Sequence, residues 1–105
     1  MAKRNLTKDT IVSEIRKSRS QLLSFGVRSI GLFGSFARGE GRPESDVDLL
    51  VEFDPDKKTF DNFIDTCFLL EGLFGREVEL VTRESLSSYI APYVLREVEY
   101  VPFSN

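Results

Sequence analysis

The chain predicts a small two-layer α/β domain in which helices pack on a short β-sheet, and three observations carry that expectation. Apolar residues recur at helical spacing in two long segments, short β-type runs alternate with them, and glycines stand where the helical patterns stop. From about Thr7 to Phe25, apolar side chains at 11, 15, 22 and 25, with 12 and 23 beside them, form one helical stripe. Thr7 and Asp9 suit its first turn and Gly26 its end. Val27–Phe33 and Val47–Phe53 are the first two strands. A second helix runs from about Thr59 to Gly75, where Phe60, Phe63, Ile64, Cys67, Phe68, Leu70 and Phe74 recur at three- and four-residue steps. Val78–Val81 is the third strand, Ser85–Glu97 reads as helix interrupted near Pro92, and Val98–Val101 closes as a fourth short strand.

Composition narrows the chemistry. The 105 residues make one domain, 1–105, with room for a single modest core. A hydrophobic share of 41% and a charged share of 30% are those of an ordinary soluble globular protein. No apolar run approaches the roughly 20 residues of a membrane span, and Met1-Ala2-Lys3-Arg4-Asn5 is unlike a signal peptide, so a cytoplasmic protein is expected. With no histidine and Cys67 alone, the chain can form no internal disulfide, no Cys/His zinc site and no Ser-His-Asp triad. Any metal must be held by oxygen, which selects hard cations: Mg2+ or Mn2+ beside phosphate, Ca2+ in flexible cages. A net charge of −3 argues against strong nucleic-acid binding. Cys67 lies among Ile64, Phe68 and Leu69 and is expected to be inert core.

The chemistry concentrates in Gly34-Ser35-x10-Asp46-x-Asp48. Gly34 follows an apolar strand, where a residue without Cβ lets the backbone turn and offer N–H groups to an anion, while the Ser35 hydroxyl can donate to a phosphate oxygen. Arg38 and Arg42 add positive charge for the same anion. Asp46 and Asp48, two residues apart at the head of a strand, point to one side about 7 Å apart along the backbone and can share a cation. Val47, Leu49, Val51 and Phe53 then take the buried side. Each half of the motif is common by itself; at this spacing the pair should arise by accident in roughly one chain in a thousand. Gly34-x4-Gly39 is not a phosphate-binding P-loop, because Glu40 stands where the lysine belongs, and Gly39-x-Gly41 lacks the third glycine of a dinucleotide fold. A hydroxyl nucleophile needs a third acid, and Glu79 is the best candidate; Glu77 shares its side of the strand.

On these residues the chain resembles the minimal nucleotidyltransferases of the DNA polymerase β superfamily. The likeness covers the first helix, the Gly-Ser-Phe-Ala-Arg-Gly-Glu loop, the Ser-Asp-Val-Asp-Leu-Leu-Val strand and the Val-Glu-Leu-Val-Thr-Arg-Glu-Ser-Leu segment. The resemblance implies a mixed sheet, two Mg2+ ions held by carboxylates, and transfer of a nucleoside monophosphate from a triphosphate to a hydroxyl with release of pyrophosphate. It implies that Asp46, Asp48 and Glu79 bind metal and catalyse, that Gly34 and Ser35 hold the triphosphate, and that Arg38 and Ser45 contact phosphate. Glu79 departs from the family's usual Asp, and a displaced carboxylate of this kind can cost about a hundredfold in rate. Minimal proteins of this kind resemble antitoxins whose partner is a helical HEPN ribonuclease, some of which attach AMP to a tyrosine of the toxin. The implied function is ATP-dependent adenylylation of such a partner. The competing readings are neutralisation by contact without catalysis, and modification of a small molecule such as an aminoglycoside. Tyr89, Tyr93, Tyr100 and Phe103 in the tail suit a docking surface, core packing or a homodimer contact equally well.

Overall fold

The computed structural model describes residues 6–103. The first helical stripe forms as two helices, α1 (Lys8–Lys17) and α2 (Arg19–Ser24), instead of the single helix expected. Thr7 caps α1, its hydroxyl accepting the Thr10 N–H at 3.1 Å. The break lies at Ser18, whose N–H is shared between the carbonyls of Glu14 and Ile15. The stripe survives the break: Ile11, Ile15 and Leu22 are all fully buried.

Strand β1 (Val27–Phe33) leads directly into α3 (Gly34–Ala37), a single helical turn where the sequence suggested only a turn. Strand β2 (Val47–Phe53) has the expected bounds. After a 3-10 turn at Pro55–Lys57 comes α4 (Phe60–Phe74), started by the Thr59 hydroxyl on the Asn62 N–H and ended by Gly75 in the left-handed conformation, φ 65°. Strand β3 (Val78–Thr82) follows.

The tail differs from its prediction. Arg83–Ser85 is a 3-10 turn closed by the Ser85 hydroxyl, which donates to the Thr82 carbonyl at 2.8 Å, and helix begins only at α5 (Ala91–Glu97). Pro92 opens this helix and does not interrupt it, because the first turn has no use for the N–H that proline lacks. Strand β4 (Glu99–Tyr100) confirms a short closing strand within 98–101.

The sheet is mixed, in the order β3-β2-β1-β4: β1 runs antiparallel to β2 and β4, and β2 parallel to β3 through the α4 crossover. One side carries Ile30, Leu32, Val47, Leu49, Val51, Val78 and Leu80 into a core shared with Ile11, Ile15, Leu22, Leu70 and Phe74. Cys67 packs partly buried against that core, and burial pushes its thiol pKa up. Register sets out the other side in cross-strand rows. One reads Phe33–Asp48–Glu79 and the next Tyr100–Gly31–Leu50–Val81. Among the described residues, no helix is long and apolar enough to cross a membrane.

Candidate active site

Strand alternation alone sends Asp48 to the open side of the sheet, since its neighbours Val47 and Leu49 are fully buried on the other. The parallel pairing of β2 with β3 then sets Glu79 directly opposite Asp48, while Glu77 lies before the paired stretch and gives its carbonyl to the Val47 N–H. Of the two glutamates left open by sequence, Glu79 is the one beside Asp48. Asp46 stands exposed just before β2, Glu79 is exposed and Asp48 is half-buried.

The neighbouring acids leave a mark on Asp48. Burial, the Glu79 carboxyl as hydrogen-bond and charge neighbour, and Asp46 push the Asp48 carboxyl up from 3.8 to about 7, against a lowering pull from Arg38. Among the described residues, no three His, Cys, Asp or Glu side chains converge as a metal cage. The donor chemistry nonetheless fits a hard divalent cation. All three groups are carboxylates, and the crowding that raises the Asp48 carboxyl is what a bound divalent cation would offset.

Gly34 sits over the same carboxylate. Its φ is 76°, and a Cβ there would overlap Asp48 Oδ2 and crowd the Asp48 Cγ at 2.9 Å. Glycine is therefore required both by the turn and by the closeness of the backbone to Asp48. The Gly34 N–H, the donor that sequence assigns to phosphate, already has an anionic partner: it donates to Glu97 Oε2 at 2.8 Å. Arg38, the second predicted phosphate contact, donates to Glu97 Oε1 at 2.7 Å and to Glu40 Oε1 at 2.9 Å. The hydrogen bonds from Arg38 and Gly34 hold the Glu97 carboxyl below the usual carboxylate range, and the two glutamates raise the Arg38 guanidinium above its own. Glu97 escaped the sequence reading because nothing local marks it: it reaches the site from 63 residues beyond Gly34.

Ser35 lies in the first turn of α3, with its carbonyl accepting the Glu40 N–H at 2.8 Å. Ser45 is engaged within its own loop, its hydroxyl accepting the Arg42 N–H at 3.0 Å in a turn that delivers the chain to Asp46. A second residue missed from sequence holds this loop. Arg76 is buried, stacks 5.4 Å from the centre of the Phe36 ring, and donates to the carbonyls of Arg42 at 3.1 Å and Ser45 at 3.2 Å. It ties the turn before Asp46 to α3 and to the approach to β3. Arg76→Ala is expected to cost about 2 to 3 kcal/mol, since two charge-assisted bonds and a ring contact go together. Urea denaturation measures the loss. Amide exchange should quicken around residues 42–46; unchanged exchange there would deny Arg76 this role.

Residues 12–101 match the nucleotidyltransferase domain family. The chain is 46% identical over 97 residues to protein adenylyltransferase MntA of Thermococcus cleftensis, covering 91% of this chain and 97% of that protein. It is 37% identical over 91 residues to a Methanocaldococcus jannaschii protein provisionally named a protein adenylyltransferase, covering 84% and 88%. A solved structure provisionally assigned as a minimal nucleotidyltransferase superposes with a TM-score of 0.68 at 36% identity, over 84% of this chain and 93% of that one. A toxin–antitoxin crystal structure with AMP-PNP shares the fold, with a TM-score of 0.65 at 21% identity over 95% of this chain and 76% of that one. With a glycine turn over paired acids on a mixed sheet, and these relatives along most of its length, the chain belongs to the nucleotidyltransferase domain family as one of its minimal members.

Proposed function

We propose that this protein is a cytoplasmic adenylyltransferase that moves AMP from ATP to a hydroxyl of a partner protein, a tyrosine of a HEPN-type toxin, and so serves as the antitoxin. The observation that carries the chemistry is Asp48 paired across the ladder with Glu79, with Asp46 two residues before it and Gly34 above. The choice of AMP and of a protein acceptor is supported by the 46% identity to an enzyme named protein adenylyltransferase. The toxin setting is supported by the shared fold of the toxin–antitoxin structure.

Asp46 and Asp48 would hold Mg2+ as a pair of ions, with Mn2+ as a substitute, and Glu79 would complete the set. When bound, the cations neutralise the triphosphate and polarise the reacting phosphoryl group. The Gly34 N–H, the Ser35 hydroxyl and Arg38 bind the phosphates, and Ser45 serves the site by shaping the turn that presents Asp46. Glu79 accepts the proton of the attacking hydroxyl. The hydroxyl oxygen bonds to the α-phosphorus, the bond from that phosphorus to the bridging oxygen breaks, and pyrophosphate departs with the electron pair.

The test is transfer of label from α-labelled ATP to proteins of the source organism's lysate. One labelled band is expected, lost on chelation of divalent cations and lost with Asp48→Asn. If no protein is labelled while the wild type demonstrably binds Mg-ATP, the contact reading takes over; a doubly substituted Asp46→Asn, Asp48→Asn protein would then still neutralise its partner.

A further inference from the structure

Glu97 is the last residue of α5, and its carboxylate occupies two of the three donors assigned above to phosphate, the Gly34 N–H and Arg38. One oxygen takes the Gly34 N–H at 2.8 Å and the other takes Arg38 at 2.7 Å. A phosphate group would present its oxygens to this pair of donors in the same two-pronged way. Those two donors also hold the carboxylate in its charged form, below the usual carboxylate range.

We infer that Glu97 is a tethered competitor for the nucleotide's phosphate, seated in the cradle when nucleotide is absent and displaced when a triphosphate enters. The inference rests on reading Gly34 and Arg38 as phosphate ligands. The Gly34 amide has one hydrogen and cannot serve two anions at full strength. A carboxylate held on the same chain has the high local concentration of any tethered ligand, so the fraction of molecules with an open cradle is small. Apparent nucleotide affinity falls in proportion to that fraction. The side chain is free to leave: it is only partly buried, with 28% of its surface exposed, and it ends its helix. Glu97 thus sets how much nucleotide the protein needs before it is loaded.

The experiment is calorimetric titration of the folded full chain with the α,β-methylene analogue of ATP in Mg2+, which cannot be cleaved at the transferring bond. Glu97→Gln keeps the shape and removes the charge, and should tighten binding about five- to twentyfold. Glu97→Ala should do the same by leaving the cradle open, which guards against a Gln that retains the seat. Glu99→Gln is the control. It removes the same charge two residues away, where Glu99 pairs with Lys8 at 2.9 Å, and should leave affinity within about twofold. In turnover the Glu97 variants should lower KM for ATP without a matching rise in kcat. Unchanged or weaker binding by both folded Glu97 variants overturns the inference while leaving the phosphate cradle intact, since Glu97 would then only position Arg38. If the folded wild type and every variant bind no triphosphate, the cradle reading falls and takes this inference with it.

Discussion

Asp48→Asn is expected to abolish nucleotidyl transfer while making the cation-free protein more stable. Loss of a carboxylate at the centre of the acidic set should lower transfer by about a thousandfold or more. The stability gain follows from the carboxyl being held at about 7 in the fold against 3.8 ordinarily. The sign is that of a raised acid: below about pH 4 both folded and unfolded chains carry the proton and the charge costs nothing. Between about pH 4 and 7 the unfolded chain ionises first, so wild-type stability falls, and above pH 7 the penalty is complete. A shift of this size would equal about 4 kcal/mol if all of it acted on folding. Solvent contact of the half-buried carboxyl reduces it to about 1 to 2 kcal/mol, or a rise in Tm of about 4 to 10 °C. Thermal melts of both proteins from pH 4 to 8 check this. Their difference should open with rising pH, and Mg2+ should narrow it by stabilising the wild type more than the variant. A difference that stays flat with pH would show that Asp48 is not the strained acid.

Gly34→Ala should have the second-largest effect, because two costs meet at one atom. A left-handed φ of 76° costs any residue with a Cβ about 1 to 2 kcal/mol, and here the added carbon also overlaps Asp48 Oδ2. Relief requires the turn to lift away from β2 or Asp48 to swing out. The expected loss is about 2 to 4 kcal/mol of stability and at least a hundredfold in transfer. Gly39→Ala supplies the contrast. Its φ is 75° but nothing lies within 4 Å of its Cβ position, so only the conformational cost remains and activity should be nearly unchanged. Equal behaviour of the two variants in denaturation and transfer assays would show that closeness to Asp48 is unimportant.

The parts legible in the sequence are those set by short-range patterns. Alternation along Val47–Phe53 gave both the strand and the side on which Asp48 faces, and Thr59 and Gly75 marked both ends of α4. The break at Ser18 was invisible because the apolar stripe runs through it, and α3 was invisible because four residues are too few to show a period. Pro92 misled because the same missing N–H that breaks a helix interior suits a helix start. At the site, Asp46 and Asp48 announced themselves by spacing, whereas separating Glu79 from Glu77 required strand register. Arg76 and Glu97 reach the site through partners 31 to 63 residues away, and no local pattern records such contacts.

The ladder between β2 and β3 also limits how this chain can change length. Five consecutive pairs, from Val47 opposite Val78 to Val51 opposite Thr82, hold Glu79 beside Asp48. Inserting a single residue between Val78 and Glu79 in such a ladder would turn every following side chain to the opposite side of the sheet and take the carboxylate away from Asp48. Residues 54–58, which leave β2 and precede the cap of α4, lie outside the ladder and are mostly exposed. Length variation among working relatives is therefore expected to collect there, with Arg76 to Leu80 closed to insertion.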